Sequence, residues 1–407
     1  MLTLLVLLAG CGVQKGANLS TGGGKTSLLC AKSRGNAHGK RIVMGDERTK
    51  DYLPLIEGQR VALLTNHTGL AGTRADSPHI LDVLLKKKVD VDVVFSPEHG
   101  LRGTADAGEK VESGRDPKTG VPVVSLYGAG GKPDPETFDV LLVDIQDVGT
   151  RFYTYYITML RMMDLCADSG KQVIILDRPN PNGFTVDGPI LDQRFKSGVG
   201  ALPIPVMHGM TLGELAQMIV GEGWLSSKRR CNLLVIPCLN YTHSTLYDLP
   251  VAPSPNLKDM QAIYLYPSTC LFEGTTLSLG RGTDWPFEVY GHPSFPETGF
   301  AFTPKSVPGA KNPPLKDQEC KGVDLRSIPQ DVIRYKGLDL SYIVDAHKSM
   351  APSGEAFWNG NFFELLIGVD YVRKMIEAGA EAEEIEARWE DDVNKFITQR
   401  AKYLIYE

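Results

Sequence analysis

Residues 138–155 read FDVLLVDIQDVGTRFYTY. The first eight are apolar apart from Asp139 and Asp144, with no polar residue at every second position. A strand buried on both faces has that pattern, whereas a strand with one wet face alternates. A polar loop follows at once, from Gln146 to Arg151, and residues 152–167 then read as a buried helix. An apolar strand that passes through a polar loop into a helix is the repeating unit of a parallel sheet covered on both faces.

The unit recurs to either side. Residues 60–65 (RVALLT), 91–95 (VDVVF), 121–126 (VPVVSL), 172–177 (QVIILD) and 233–237 (LLVIP) are further strands. Helices are expected over 77–88, where Ile80, Val83 and Leu84 share a face, and over 211–221. The second opens with Thr211 and has Glu214 three residues on, a capping-box pattern. The fold class is therefore α/β. A Rossmann-like parallel-sheet domain takes residues 41–245, and a smaller α+β C-terminal domain takes 246–407. The second part is dense in Pro, Gly and aromatics and closes with helices expected over 362–378 and 380–400.

The chain has 407 residues and a net charge of -6. Nucleic-acid binding is not expected, because phosphate neutralisation needs a Lys/Arg excess. Residues 1–11 (MLTLLVLLAGC) read as a short export signal that ends in a lipobox-like Leu8-Ala9-Gly10-Cys11, and 12–40 as a polar tether. No Lys or Arg precedes the apolar run, which departs from the usual signal pattern. The expectation is an exported protein, lipid-anchored at a bacterial cell envelope and touching membrane only through that anchor. The seven cysteines form no CxxC pair, and isolated buried thiols are the expected state for most of them.

Each strand runs into a distinctive loop. RVALLT leads to Asn66 and His67; VDVVF to Glu98, His99 and Arg102; the opening strand to Asp144, Asp147 and Arg151; QVIILD to Arg178 and Asn180; and PIPVMHGMT carries His208. Ligands of open α/β sheets bind beyond the carboxyl ends of the strands, so these loops are expected to gather one polar rim. No GxGxxG follows the first strand and no GxxxxGK[ST] occurs, so neither a dinucleotide nor an NTP site is expected. No HExxH or GxSxG occurs either. No cofactor and no metal are called for, with a zinc site from His67, His99 and His208 kept as an alternative. Glu98 sits in a Pro-Glu-His-Gly turn directly after a buried strand, where partial burial would raise its pKa as a general acid needs; Arg102 either opposes that shift or orients the group. Arg151, Arg178 and Arg281 suit a bidentate grip on an anionic sugar, and Tyr153 suits stacking on a sugar ring.

TNHTG, SPEHGLRG, DIQDVGTRFYTY, DRPNPNG, DGPIL, MHGMTLGE, PSPN, EGTTLSLGRGT and GEAFW follow one another in this order. Over roughly residues 41–407 the chain resembles the exo-β-N-acetylmuramidases of the NamZ type, formerly domain of unknown function 1343. The resemblance implies a Rossmann-like domain, an auxiliary domain and an active-site cleft between them. It implies release of N-acetylmuramic acid (MurNAc) from non-reducing ends of peptidoglycan fragments, with Glu98 as the catalytic glutamate. Glycoside hydrolysis needs an acid and usually a second carboxylate. For the second group Asp144, Asp147 and Glu109 stand open, as does the substrate's own acetamido group. The alternative function is a non-catalytic envelope lipoprotein that binds muropeptides.

Overall fold

The computed structural model describes residues 40–98, 100–101, 113–126 and 131–407. Seven strands form the main sheet: β1 (Arg60–Thr65), β2 (Asp90–Ser96), β3 (Gly114–Arg115), β4 (Pro122–Ser125), β5 (Val140–Asp144), β6 (Gln172–Leu176) and β7 (Asn232–Ile236). Their order is β3-β4-β2-β1-β5-β6-β7. All neighbours are parallel except the short edge strand β3, which runs antiparallel to β4. Without β3 this is the doubly wound order, with its switch point between β1 and β5.

The opening stretch behaves as its composition dictates. All five residues of β5 are buried. Leu141 and Val143 join the core on one face of the sheet with Ala62 and Leu64. Val140 and Leu142 join the core on the other face with Val61 and Leu63. The larger core continues without a break from Ala62 to Phe396, so the sheet and the C-terminal helices share one apolar interior. The C-terminal part adds a second, antiparallel sheet: β8 (Val289–His292), β9 (Ala301–Phe302) and β10 (Cys320–Asp324), in the order β8-β10-β9.

Several helices differ from their expected bounds for local reasons. The helix after β5 spans Tyr155–Ser169 rather than 152–167. Its approach is diverted because the Arg151 N–H donates across the chain to the Val206 carbonyl and Tyr153 N–H turns back to Thr150. It ends at Gly170, whose φ of 70° allows Lys171 N–H to close back on the Cys166 carbonyl. The expected 77–88 helix runs over Ile80–Lys86, capped by the His79 ring, which accepts from Leu81 N–H. The 211–221 helix forms over Leu212–Gly221 with the Thr211/Glu214 capping box in place. The stretch 362–378 is two helices, Phe362–Ile367 and Tyr371–Glu377. Gly368 breaks it at φ 85°, and a Cβ there would lie 2.5 Å from an Arg151 guanidinium nitrogen. The stretch 380–400 is likewise broken, into Ala382–Glu386 and Glu390–Arg400. Trp389, between them, turns inward to donate its indole N–H to Asp187.

A buried ion triad ties the strand ends together. Arg178, just past β6, donates from Nε and Nη2 to both oxygens of Asp144 at 2.6 and 3.0 Å, and from Nη2 to Asp46 at 2.6 Å. All three side chains are buried. Burial pushes the Asp46 carboxyl well above its ordinary range, against the pull of Arg178. Arg178→Met would leave two buried carboxylates without their cation. It is expected to lower unfolding free energy by about 3–5 kcal/mol, measured by urea denaturation.

Candidate active site

A cleft of about 710 Å³ opens where the loop after β2 and the Tyr155–Ser169 helix meet the C-terminal part. From the sheet side it is lined by Glu98, Tyr153, Thr154, Tyr155, Thr158 and Arg161. From the other side come Ser254, Asn256, Tyr266, Glu273, Arg281, Phe287, Phe362 and Leu366. A neighbouring cavity of about 830 Å³ shares Glu273, Arg281 and Phe362 with it.

Glu98 lies one residue beyond Pro97, in the turn where Gly100 N–H closes onto the Pro97 carbonyl. Its Oε2 accepts from the Thr154 hydroxyl at 3.1 Å. Thr154 is the residue before the helix, so the helix start and the strand end hold the carboxylate jointly. Tyr155 lies close enough for the Glu98 charge to help raise its hydroxyl pKa, after burial as the main cause. The Tyr155 hydroxyl accepts from Asn66 Nδ2 at 3.0 Å and donates to the Pro253 carbonyl at 3.1 Å. Tyr153 donates to the same carbonyl at 2.9 Å. These bonds fasten the cleft wall to the 253–256 segment.

Glu273 and Arg281 form an ion pair at 2.5 Å within the cleft. The guanidinium also lies 4.9 Å from the centre of the Phe287 ring. Among the described residues Glu98 and Glu273 are the carboxylates that line the cleft, one on each wall.

Of the residues expected on the rim, Glu98, Tyr153 and Arg281 line the cleft. His99, Arg102 and Glu109 lie outside the described residues. The others are framework. Asp144 and Arg178 are consumed by the triad with Asp46, so neither reaches a ligand. Arg151 is fully buried and donates to four carbonyls, those of Pro189, Ile204, Leu366 and Ile367, at 2.7–3.0 Å. Burial pulls this guanidinium down to about 10. Asn180 is buried; its amide donates to the Met210 carbonyl and accepts from Asn182 N–H. A Cβ on Gly149 would lie 2.3 Å from that amide, so this position, at φ 75°, takes only glycine. Asn66 is buried and bonded to Thr68 and Tyr155. His67 Nε2 donates to the Ala252 carbonyl at 2.7 Å, across to the far wall. His208 is buried, its Nδ1 accepts from Met210 N–H, and burial pushes its pKa down to about 3. Neither histidine presents a ligand set. Among the described residues no group of three His, Cys, Asp or Glu is arranged to hold a metal ion.

Asp147 is buried beneath the cleft wall rather than exposed in it. Its Oδ1 accepts from Gly149 N–H at 2.7 Å, and its Oδ2 has no partner among the described residues. Burial raises its pKa to about 7. That suits a structural carboxyl protonated at mild pH, not a base in contact with substrate. Arg161 is a charged lining residue outside the sequence motifs, and Glu273 is a second one that its motif, EGTTLSLGRGT, does not single out. Arg161 had a visible signal, as the lone cation in an otherwise mostly apolar helix (YYITMLRMMDLCADS).

A doubly wound α/β sheet with a carboxylate at a strand end, facing a cleft whose other wall comes from the C-terminal part, is a site placement found in α/β enzymes. Residues 61–261 match the family described as exo-β-N-acetylmuramidase NamZ, N-terminal, and 264–406 match its C-terminal counterpart. The chain belongs to this family. It is 38% identical over 381 residues to the peptidoglycan β-N-acetylmuramidase NamZ of Bacillus subtilis (strain 168), covering 89% of this chain and 90% of that one. Two crystal structures of DUF1343 family proteins from Bacteroides fragilis NCTC 9343 share the fold. One has a TM-score of 0.83 at 54% identity and the other 0.76 at 28%; each match covers 90% of this chain and 99% of the other.

The Asp147 position carries a pH signature. Its unfolded value is about 3.9, so between about pH 4 and 7 the folded state keeps a proton that the unfolded state has lost. Stability contributed by this group therefore falls as pH rises through that window, by up to about 1.4 kcal/mol per pH unit. Asp147→Asn is expected to flatten the decline, measured as urea midpoints at a series of pH values across it.

Proposed function

We propose that this protein is an exo-acting glycosidase that releases MurNAc from the non-reducing ends of peptidoglycan fragments. The observation that carries this reading is Glu98, held by Thr154 at a strand end on the wall of a cleft closed by the C-terminal part. Family membership supplies the reaction class, and the name of the Bacillus subtilis relative supplies the substrate. In this reading Glu98 protonates the departing glycosidic oxygen. The substrate's acetamido oxygen, or Glu273 on the opposite wall, stabilises the positive charge that develops at the anomeric carbon. Tyr153 and Tyr155 give the sugar a rigid wall, because Pro253 holds both hydroxyls. The lipobox-like segment at residues 1–11 supports a place at the cell envelope, where such fragments arise.

The test is release of nitrophenol from para-nitrophenyl β-MurNAc, with the β-GlcNAc glycoside as control. The wild-type chain is expected to turn over the first in preference to the second. Glu98→Gln is expected to lower kcat by about 100-fold or more. Binding of MurNAc without turnover would instead favour a muropeptide-binding protein.

A further inference from the structure

We propose that Arg161 is the specificity-determining residue that reads the lactyl carboxylate of the substrate, with the side pocket beside it receiving the lactyl methyl group. This rests on the glycosidase reading above and names the group that reading leaves without a partner.

Among the described residues two arginines line the cleft, and Arg161 is the one without an ion pair there. Arg281 is held by Glu273 at 2.5 Å. Arg161 is exposed and has no carboxylate partner among the described residues. Arg151 and Arg178, which the sequence also offers for an anionic ligand, are buried, with their guanidinium groups turned to backbone carbonyls and to the Asp46–Asp144 pair respectively. An anionic substituent entering the cleft would therefore find its guanidinium on the helix.

Helical register places that cation relative to the acid. Thr154, Thr158 and Arg161 are spaced i, i+4 and i+7 and all line the cleft. They form one stripe on the face of the helix turned to the ligand. Thr154 holds Glu98, and Arg161 is two turns further on, about 10.5 Å along the axis. A long, flexible arginine side chain shortens that gap towards the span of one sugar ring with its lactyl arm.

The stripe continues into a pocket of about 240 Å³ lined by Lys132, Pro133, Met162 and Leu165, with Leu126, Thr158 and Arg161 shared with the cleft. Its lining is apolar apart from the two cations and Thr158. A lactyl ether is a carboxylate carrying a methyl group, and this is the complementary surface: a guanidinium for the carboxylate and an apolar floor for the methyl. GlcNAc has neither group.

Two measurements on the full chain test this. Calorimetric titration with MurNAc and with GlcNAc, for wild type, Arg161→Gln and Arg161→Lys, needs no turnover. Kinetics on para-nitrophenyl β-MurNAc and on its lactyl methyl ester separate the charge from the rest of the sugar. Arg161→Gln is expected to weaken MurNAc binding and raise KM for the carboxylate substrate by roughly 10- to 100-fold. GlcNAc binding and KM for the ester should stay unchanged, and kcat should stay within about threefold. Arg161→Lys should recover part of the loss. Equal losses on acid and ester, or no loss on either, would overturn the assignment. Charge-specific MurNAc binding in a protein with no turnover would support it while removing the glycosidase reading.

Discussion

The Arg151 guanidinium is the constraint on which the cleft depends. It is buried, and it donates to the carbonyls of Pro189, Ile204, Leu366 and Ile367. Two of these belong to the last turn of the Phe362–Ile367 helix, where unpaired carbonyls and the helix dipole both favour a cation. One side chain from the loop after β5 thus caps a helix of the C-terminal part. That helix contributes Phe362 and Leu366 to the cleft wall. Gly368 is the matching concession: any side chain there would meet the guanidinium. The desolvation cost of burying Arg151 is offset by four hydrogen bonds, and the same bonds fix the distance between the two sides of the cleft.

The polar groups at the strand ends therefore divide into two layers. The lower layer is closed: Arg178 with Asp46 and Asp144, Asn180 with Met210 and Asn182, and Asn66 with Thr68 and Tyr155. Arg178, Asn180 and Asn66 each bond to at least one group from another segment of the chain, which ties these loops together. The upper layer faces the cleft and, among the described residues, includes Glu98, the Tyr153–Tyr155 wall, the Glu273–Arg281 pair and Arg161. Preorganisation of the upper layer follows from the cross-loop bonds of the lower one. A carboxylate that must meet a glycosidic oxygen within a few tenths of an ångström needs such a foundation.

The strands were legible because burial on both faces leaves an unmistakable composition, and the rim was legible because polar loops follow those strands directly. Which rim residues face a ligand was not. Asp144 and Arg178 look in sequence like ligand groups, since their partner Asp46 lies 132 residues from Arg178 and only folding joins them. His208 and Asn180 were equally ambiguous, because a strand-end side chain points outward or into the adjacent loop according to contacts formed far along the chain. The broken C-terminal helices were hidden for the same reason. Gly368 reads as a tolerable helical glycine until Arg151 is set against it. Arg161 carried a signal that motif reading does not weigh, a lone cation at helical spacing from the residue that holds the acid.

The most direct test of this two-layer account is a crystal structure of the Glu98→Gln protein with a MurNAc-containing disaccharide. The account predicts the glycosidic oxygen within hydrogen-bond distance of residue 98, the sugar against Tyr153 and Tyr155, and the Arg151 contacts unchanged. A sugar seated in the neighbouring Thr275–Asn359 cavity, or with its anomeric centre facing a different carboxyl, would contradict it.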